Sequence, residues 1–194
     1  MKAAFVIFDQ MTSLDFIGIY DPVTRLKTMN IMPDFSWSIC SVTEKVTDDR
    51  NLVIQPDCVG QSLSPYDVLI VPGGYGTRAL YQTPEFVDWI KTARQAELKV
   101  SVCTGALLLG AAGFLKNKRA TTHPGALEEL EAFCSETVRS RIVDQGRVIT
   151  GGGVTAGIDV GLYVVERVAG IAARKKIASQ MDYPYYPGPG KIEM

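Results

Sequence analysis

At 194 residues, 46% of them hydrophobic, the chain is long enough for one sizeable core and too short for a second full domain. Its 20 basic and 21 acidic residues leave a formal charge of −1, so nothing draws the whole chain toward nucleic acid or an anionic membrane. No apolar run reaches membrane-spanning length, the start is too soon charged for a secretory signal, and four cysteines without CxxC or zinc spacing fit a reducing compartment, so the cytoplasm is expected.

Residues 3–8 are almost wholly apolar, as in a central parallel strand. A polar turn over 9–13 leads to a helix ending near Met29, which Asp21 and Pro22 either cap and start or kink after it has begun. Residues 35–42 alternate as a strand does and include Cys40 as a small buried hydrophobe. Residues 49–54 read as a short strand or hairpin arm, and Cys58 falls in a polar loop. A further apolar strand over 67–71 stops at Pro72-Gly73-Gly74. Thr83 and Pro84 start a helix running to about Ala96.

Residues 98–102 form the next strand, and 104–112, small residues and leucines, read as a buried helix. A brief strand over 119–122, an amphipathic helix over 125–133 and a hairpin of 140–143 with 147–150 about Asp144-Gln145-Gly146 follow. After the break at Gly151-Gly152-Gly153 come helices over about 156–169 and 172–180, with Gly157 and Gly161 marking tight packing against the sheet. The Pro- and Tyr-rich tail, 183–194, is too proline-rich over 183–190 for helix or central strand, and Tyr183, Tyr185 and Tyr186 are expected to pack on a partner subunit or on the chain's own surface. Strands alternating with helices predict an α/β helix–sheet–helix sandwich, with a cleft lined by the loops near Asp9, Pro72, Cys103 and Gly151.

Cys103 falls at a strand-to-helix corner, where a helix N-terminus favours a thiolate and the side chain faces the cleft. An inert core thiol is the competing reading. Gly105, two places on, allows helix and sheet to pack closely. Asp15, in the first loop-to-helix region, is either a helix-end acid or an acid pressed into the cleft with a raised pKa, able to shuttle protons beside the thiol. Gly73 and Gly74 expose backbone N–H groups that, with that of Thr104, are candidates to stabilise negative charge; an ordinary loop is the alternative. The segment lacks both the P-loop lysine and the GxGxxG pattern. His123 is the only histidine, so a cysteine–histidine dyad requires it, with a loop or capping histidine as the competing reading, and no metal site is credible. Thr155 either lines the pocket or caps the following helix.

These residues carry a resemblance. Phe8-Asp9 with Leu14-Asp15-Phe16, Val71-Pro72-Gly73-Gly74, Val102-Cys103-Thr104-Gly105-Ala106 through Gly113, Arg119-Ala120-Thr121-Thr122-His123 and Gly153-Val154-Thr155-Ala156-Gly157-Ile158-Asp159 resemble the ThiJ/PfpI superfamily over nearly the whole chain, most closely its isonitrile hydratases. The resemblance implies a three-layer flavodoxin-like sandwich of the class I glutamine amidotransferase type, a homodimer, a nucleophilic Cys103, an acid at Asp15 and Thr104 as a pocket residue. The protease-like members place histidine directly after the cysteine, whereas this chain has Thr104, and Pro124 stands where the hydratases carry tryptophan.

The implied reaction is hydration of an isonitrile to an N-substituted formamide through a thioimidate on Cys103, needing neither metal nor organic cofactor. A glyoxalase or glycation-repair enzyme acting on small aldehydes and a non-enzymatic cysteine oxidation sensor are the alternatives, while a DNA-binding regulator is disfavoured because no residues remain for a DNA-binding module.

Overall fold

An eight-stranded sheet runs through the middle of the structure, a computed structural model that describes residues 1–185 and 192–193. β1 (Lys2–Val6) is buried over nearly its whole length because helices cover both faces of the sheet. α1 (Ser13–Thr28) follows, then β2 (Ser36–Ser41). The chain leaves the sheet for a small antiparallel pair, β3 (Val46–Thr47) with β4 (Val53–Ile54), and returns as β5 (Cys58–Val59). Cys58 is therefore a strand residue at the sheet edge, not part of a polar loop; its Cα is paired with that of Cys40.

β6 (Val68–Val71) and β7 (Leu98–Val102) form the centre with β1. Between them lie α2 (Thr77–Leu80) and α3 (Pro84–Lys91), the latter passing into a 3-10 turn over Thr92–Gln95 rather than continuing as one α-helix to Ala96. α4 (Gly105–Ala111) follows β7. β8 (Arg119–Ala120) and β9 (Glu136–Thr137) pair on their own, on either side of a 3-10 turn and α5 (Leu127–Glu131), which is shorter than the helix expected over 125–133. β10 (Ile142–Asp144) and β11 (Val148–Gly151) form the expected antiparallel hairpin. α6 (Ala156–Gln180) is broken at Gly170, whose φ of 85° lies outside the helical region, so the two helices expected there do separate. β12 (Ile192–Glu193) closes the sheet beside β10; Tyr186 and the rest of 186–191 lie outside the described residues.

The sheet order is β12-β10-β11-β7-β6-β1-β2-β5, with every neighbouring pair parallel except β10–β11. With α1 and α6 packed together and α4 packed on α2, α3 and α5, this is a three-layer α/β sandwich. Burying side chains such as Phe5, Ile7, Leu69, Ile70, Leu107 and Leu108 contributes about 1.5–3 kcal/mol each. Gly157 and Gly161 pack against α1 rather than the sheet: a Cβ at Gly161 would lie 2.4 Å from the Pro22 ring. Pro22 sits inside α1 without ending it, since α1 runs on to Thr28 while its ring fills that contact. The parallel order brings the loops after β1, β6, β7 and β11 to one end of the sheet.

Candidate active site

Cys103 leaves β7 with φ +55°, a left-handed conformation that an L side chain adopts at a cost of about 1–2 kcal/mol. Several bonds hold it there. Its N–H donates to the carbonyls of Gly151 (3.1 Å) and Gly152 (2.8 Å), and its own carbonyl accepts from the Thr122 hydroxyl at 2.8 Å. The turn carries the chain from β7 into α4 and sets Cys103 Cβ against Gly73, just past the end of β6. Gly105 permits this, because a Cβ there would sit 2.4 Å from the Val71 carbonyl oxygen.

Pro72-Gly73-Gly74 comes up beneath the elbow. A Cβ at Gly73 would fall 2.6 Å from Thr104 N, 2.8 Å from Asp15 Oδ2 and 2.8 Å from Cys103 Cβ, so three functional groups converge on the space a side chain would need. The Gly73 N–H donates to Asp15 Oδ2 at 3.1 Å. The Gly74 N–H donates to Thr104 Oγ1 at 2.9 Å, and that hydroxyl donates back to the Gly74 carbonyl at 3.1 Å. Both glycine donors are thus engaged within the site. They orient the acid and clasp the elbow instead of facing a bound intermediate. The Thr104 N–H is directed at the Cys103 sulfur.

Asp15 lies in the first turn of α1 and is fully buried. Burial raises its pKa to about 6 against the lowering effects of the neighbouring Cys103 thiol and the Gly73 N–H. Its Oδ1 has no hydrogen-bond partner among the described residues. Burial first, and the Asp15 charge second, push the Cys103 thiol up to about 12 despite the Thr104 N–H. This corrects the expectation of a standing thiolate: α4 is only seven residues long and apolar surroundings outweigh its dipole. Between these two values the pair holds a single proton, on sulfur, beside the ionised carboxylate.

A cleft of about 290 Å³ opens above the sulfur. Cys103, Thr104, Gly74 and His123 line it, together with residues the sequence did not single out: Thr12, Asp49, Arg50, Tyr75 and Arg78. Asp49 accepts from the Thr12 hydroxyl at 2.9 Å and pairs with Arg50, while Arg78 pairs with Glu129 at 2.8 Å. The walls are therefore polar and carry both signs of charge. Asp49 and Arg50 arrive on the excursion around β3 and β4, which no local sequence signal ties to the cleft.

His123 stands exposed at the mouth, its Nδ1 accepting from the Gly125 N–H at 3.1 Å, so its hydrogen bond is to the loop and not to Cys103. Thr155 does not join the cleft. It lines a separate hollow of about 160 Å³ with Leu14, Arg141, Ile158 and Tyr183. Nor does its side chain cap α6, since it lies near Arg141 at 3.5 Å. Val154, which lines both spaces, stands between them. Tyr183 donates to the buried Asp159 at 3.0 Å, anchoring the start of the tail on the chain's own surface, while Tyr185 is exposed. Among the described residues, no group of three or more His, Cys, Asp or Glu is arranged to hold a metal ion, and no helix is long and apolar enough to cross a membrane.

Comparison with known proteins agrees with this architecture. Residues 1–167 match the model of the DJ-1/PfpI family. An isonitrile hydratase from Pseudomonas putida is 34% identical over 188 residues, 96% of this chain and 80% of the relative. Protein DJ-1alpha of Drosophila melanogaster is 28% identical over 149 residues, covering 74% of this chain and 69% of its own length. The crystal structure of a ThiJ/PfpI family protein from Pseudomonas syringae superimposes with a TM-score of 0.84 at 29% identity, over 97% of this chain and 76% of that one.

Proposed function

The chain belongs to the DJ-1/PfpI family, and from that premise we propose that it hydrates an isonitrile, R–N≡C, to the N-substituted formamide, using Cys103 as nucleophile and Asp15 as the proton carrier. The observation that supports this reading most directly is the fully buried Asp15 carboxylate meeting the Cys103 side chain over Gly73, beneath a cleft that Cys103 itself lines.

The chemistry needs one proton, and the pair holds one. Asp15 takes the thiol proton as sulfur attacks the isonitrile carbon, then passes it to that same carbon, giving the thioimidate R–N=CH–S–Cys103 without a free carbanion. Water next adds to the thioimidate carbon, with Asp15 removing its proton and delivering it to nitrogen. The tetrahedral R–NH–CH(OH)–S–Cys103 gives its hydroxyl proton to Asp15 as the carbonyl forms and sulfur leaves. Reprotonation of sulfur by Asp15 restores the thiol, so one isonitrile and one water become one formamide. Gly73 holds the carboxylate in place, Thr104 fixes the elbow through Gly74, and His123 and the side chains around it form the mouth. No step calls for a metal or organic cofactor. The reading carries with it a cytoplasmic homodimer; exposed Leu14 and Ile17 on α1 are consistent with an apolar contact between copies.

The polar cleft walls favour keeping a second reading, addition of Cys103 to a small aldehyde followed by Asp15-assisted proton transfer, as in a glyoxalase or glycation-repair enzyme. A standing oxidation sensor is less well served, because burial and Asp15 both oppose a resting thiolate. Formamide release from a small isonitrile panel, run beside methylglyoxal, tests the proposal. Turnover of isonitriles that disappears in Cys103→Ala and Asp15→Ala supports it; full rates in both variants, or turnover of methylglyoxal alone, overturn it.

A further inference from the structure

We propose that Cys40 and Cys58 form a second reactive site, a dithiol that closes to a disulfide between adjacent strands when the protein meets a peroxide. β2 and β5 run parallel, with Cys40 directly opposite Cys58. Neighbouring strands lie about 4.8 Å apart, inside the Cα separation that disulfides span. Both sulfurs converge on the Tyr66 hydroxyl, at 3.5 Å from Cys40 and 3.7 Å from Cys58, so the two side chains project from the same face toward one point. β5 is two residues long and forms the edge of the sheet, so its outer side is unpaired among the described strands and it can move the short distance that bonding requires.

The two thiols differ in access. Cys58 is half-buried and Cys40 is buried. Burial pushes the Cys40 thiol up to about 11, which suits it to the second step rather than the first. In the first step Cys58 sulfur attacks a peroxide oxygen, the O–O bond breaks, and one water leaves with Cys58 as the sulfenic acid. Cys40 sulfur then displaces the sulfenic hydroxyl, which departs with the Cys40 proton as a second water. Two thiols are oxidised by two electrons and one peroxide is reduced to two waters.

The disulfide has a structural consequence at the cleft. Residues 41–57, the segment it closes, carry β3, β4 and the wall residues Asp49 and Arg50. Oxidation fastens the two feet of that excursion together and raises the melting temperature by restricting the unfolded chain. This inference does not depend on the isonitrile reading.

Trypsin separates the four cysteines into four peptides, 28–45, 51–78, 100–116 and 120–139. The full chain is treated with hydrogen peroxide, blocked with N-ethylmaleimide and digested without reductant. The expected product is peptide 28–45 joined to 51–78, lighter than their sum by two hydrogens and separated by dithiothreitol, with the Cys103 and Cys134 peptides outside the link. Cys40→Ser is expected to leave Cys58 unlinked and over-oxidised; Cys58→Ser is expected to leave Cys40 reduced. Recovery of 28–45 and 51–78 from oxidised wild type only as separate peptides, or of Cys58 joined to Cys58 of a second copy, overturns the proposal. The wild-type linkage decides it even where a variant fails to fold.

Discussion

The side chains of Cys103 and Asp15 meet over Gly73, where a Cβ would lie 2.8 Å from both Cys103 Cβ and Asp15 Oδ2, and the Gly73 N–H holds the acid at 3.1 Å. The convergence places a thiol and a buried carboxylate side by side beneath the cleft. Its electrostatics bias the proton toward sulfur, so in the proposed reaction the nucleophile is made during attack rather than held in reserve. This arrangement spares a buried thiolate, and in the proposed reaction it leaves the proton to be passed on by Asp15.

A pH profile follows from it. Asp15 must be ionised in the free protein to receive the thiol proton, and its pKa is raised to about 6. The rate constant kcat/KM for isonitrile hydration is expected to rise as pH increases through about 6 and then to stay level through neutral and mildly alkaline pH, because the Cys103 thiol titrates only near 12. A profile that falls across pH 6, or one with a limb near 8, contradicts the assignment.

Asp15→Asn separates activity from stability. Its carboxyl titrates near 6 when folded and near 3.8 when unfolded, so between those values the folded chain binds more protons and stability falls as pH rises. At pH 7 the buried charge costs on the order of 2–3 kcal/mol. The amide removes that cost and still accepts from Gly73. Thermal unfolding is expected to show Asp15→Asn more stable than wild type at pH 7, with the difference shrinking toward pH 4, while turnover falls by about 10²–10⁴-fold. Equal melting temperatures at pH 7 and 4 exclude a buried, ionised acid.

The elbow conformation is testable at Cys103 itself. Alanine at this position keeps the φ of +55° and its strain, whereas glycine accepts it freely. Cys103→Gly is expected to unfold at higher denaturant than Cys103→Ala, by about 1 kcal/mol, with both variants inactive toward isonitriles. The reverse order of stability argues against a left-handed elbow.

Gly73→Ala tests the convergence beneath it. The added methyl meets Thr104 N, a fixed backbone atom, at 2.6 Å and the Asp15 carboxylate oxygen Oδ2 at 2.8 Å. A cost of about 1–3 kcal/mol is expected from overpacking, together with loss of turnover and of the pH limb near 6, since the carboxylate is displaced from the thiol. A variant that folds with wild-type stability and turnover shows that the site tolerates a side chain there.

Much of the frame is legible in local sequence. The apolar runs of β1, β6 and β7, the small-residue stretch of α4 and the turn between β10 and β11 each satisfy their own period or turn chemistry, and the structure places elements there. Gly105 beside the elbow is legible too, because a close approach of helix to strand leaves no room for a Cβ. Less legible are short elements. β5 holds only two residues, Cys58 and Val59, and is a strand because Cys40 and Ser41 offer it a ladder, not because of its own sequence. Gly161 looks the same in sequence whether it meets a sheet or the ring of Pro22, as it does here.

Sequence alone determined the residue types available for the chemistry: a thiol at a strand-to-helix corner, an acid after the first strand, glycines after another, and a single histidine. Tertiary structure decided which of them meet and in what protonation state. It sank Asp15 beneath Cys103, sent Thr155 to a different hollow, turned His123 toward Gly125, and brought Asp49 and Arg50 from a distant excursion to the cleft wall. The physical reason is that desolvation and direct contact depend on what surrounds a group in space, and the neighbours that raise the Asp15 and Cys103 pKa values come from strands and loops far apart along the chain.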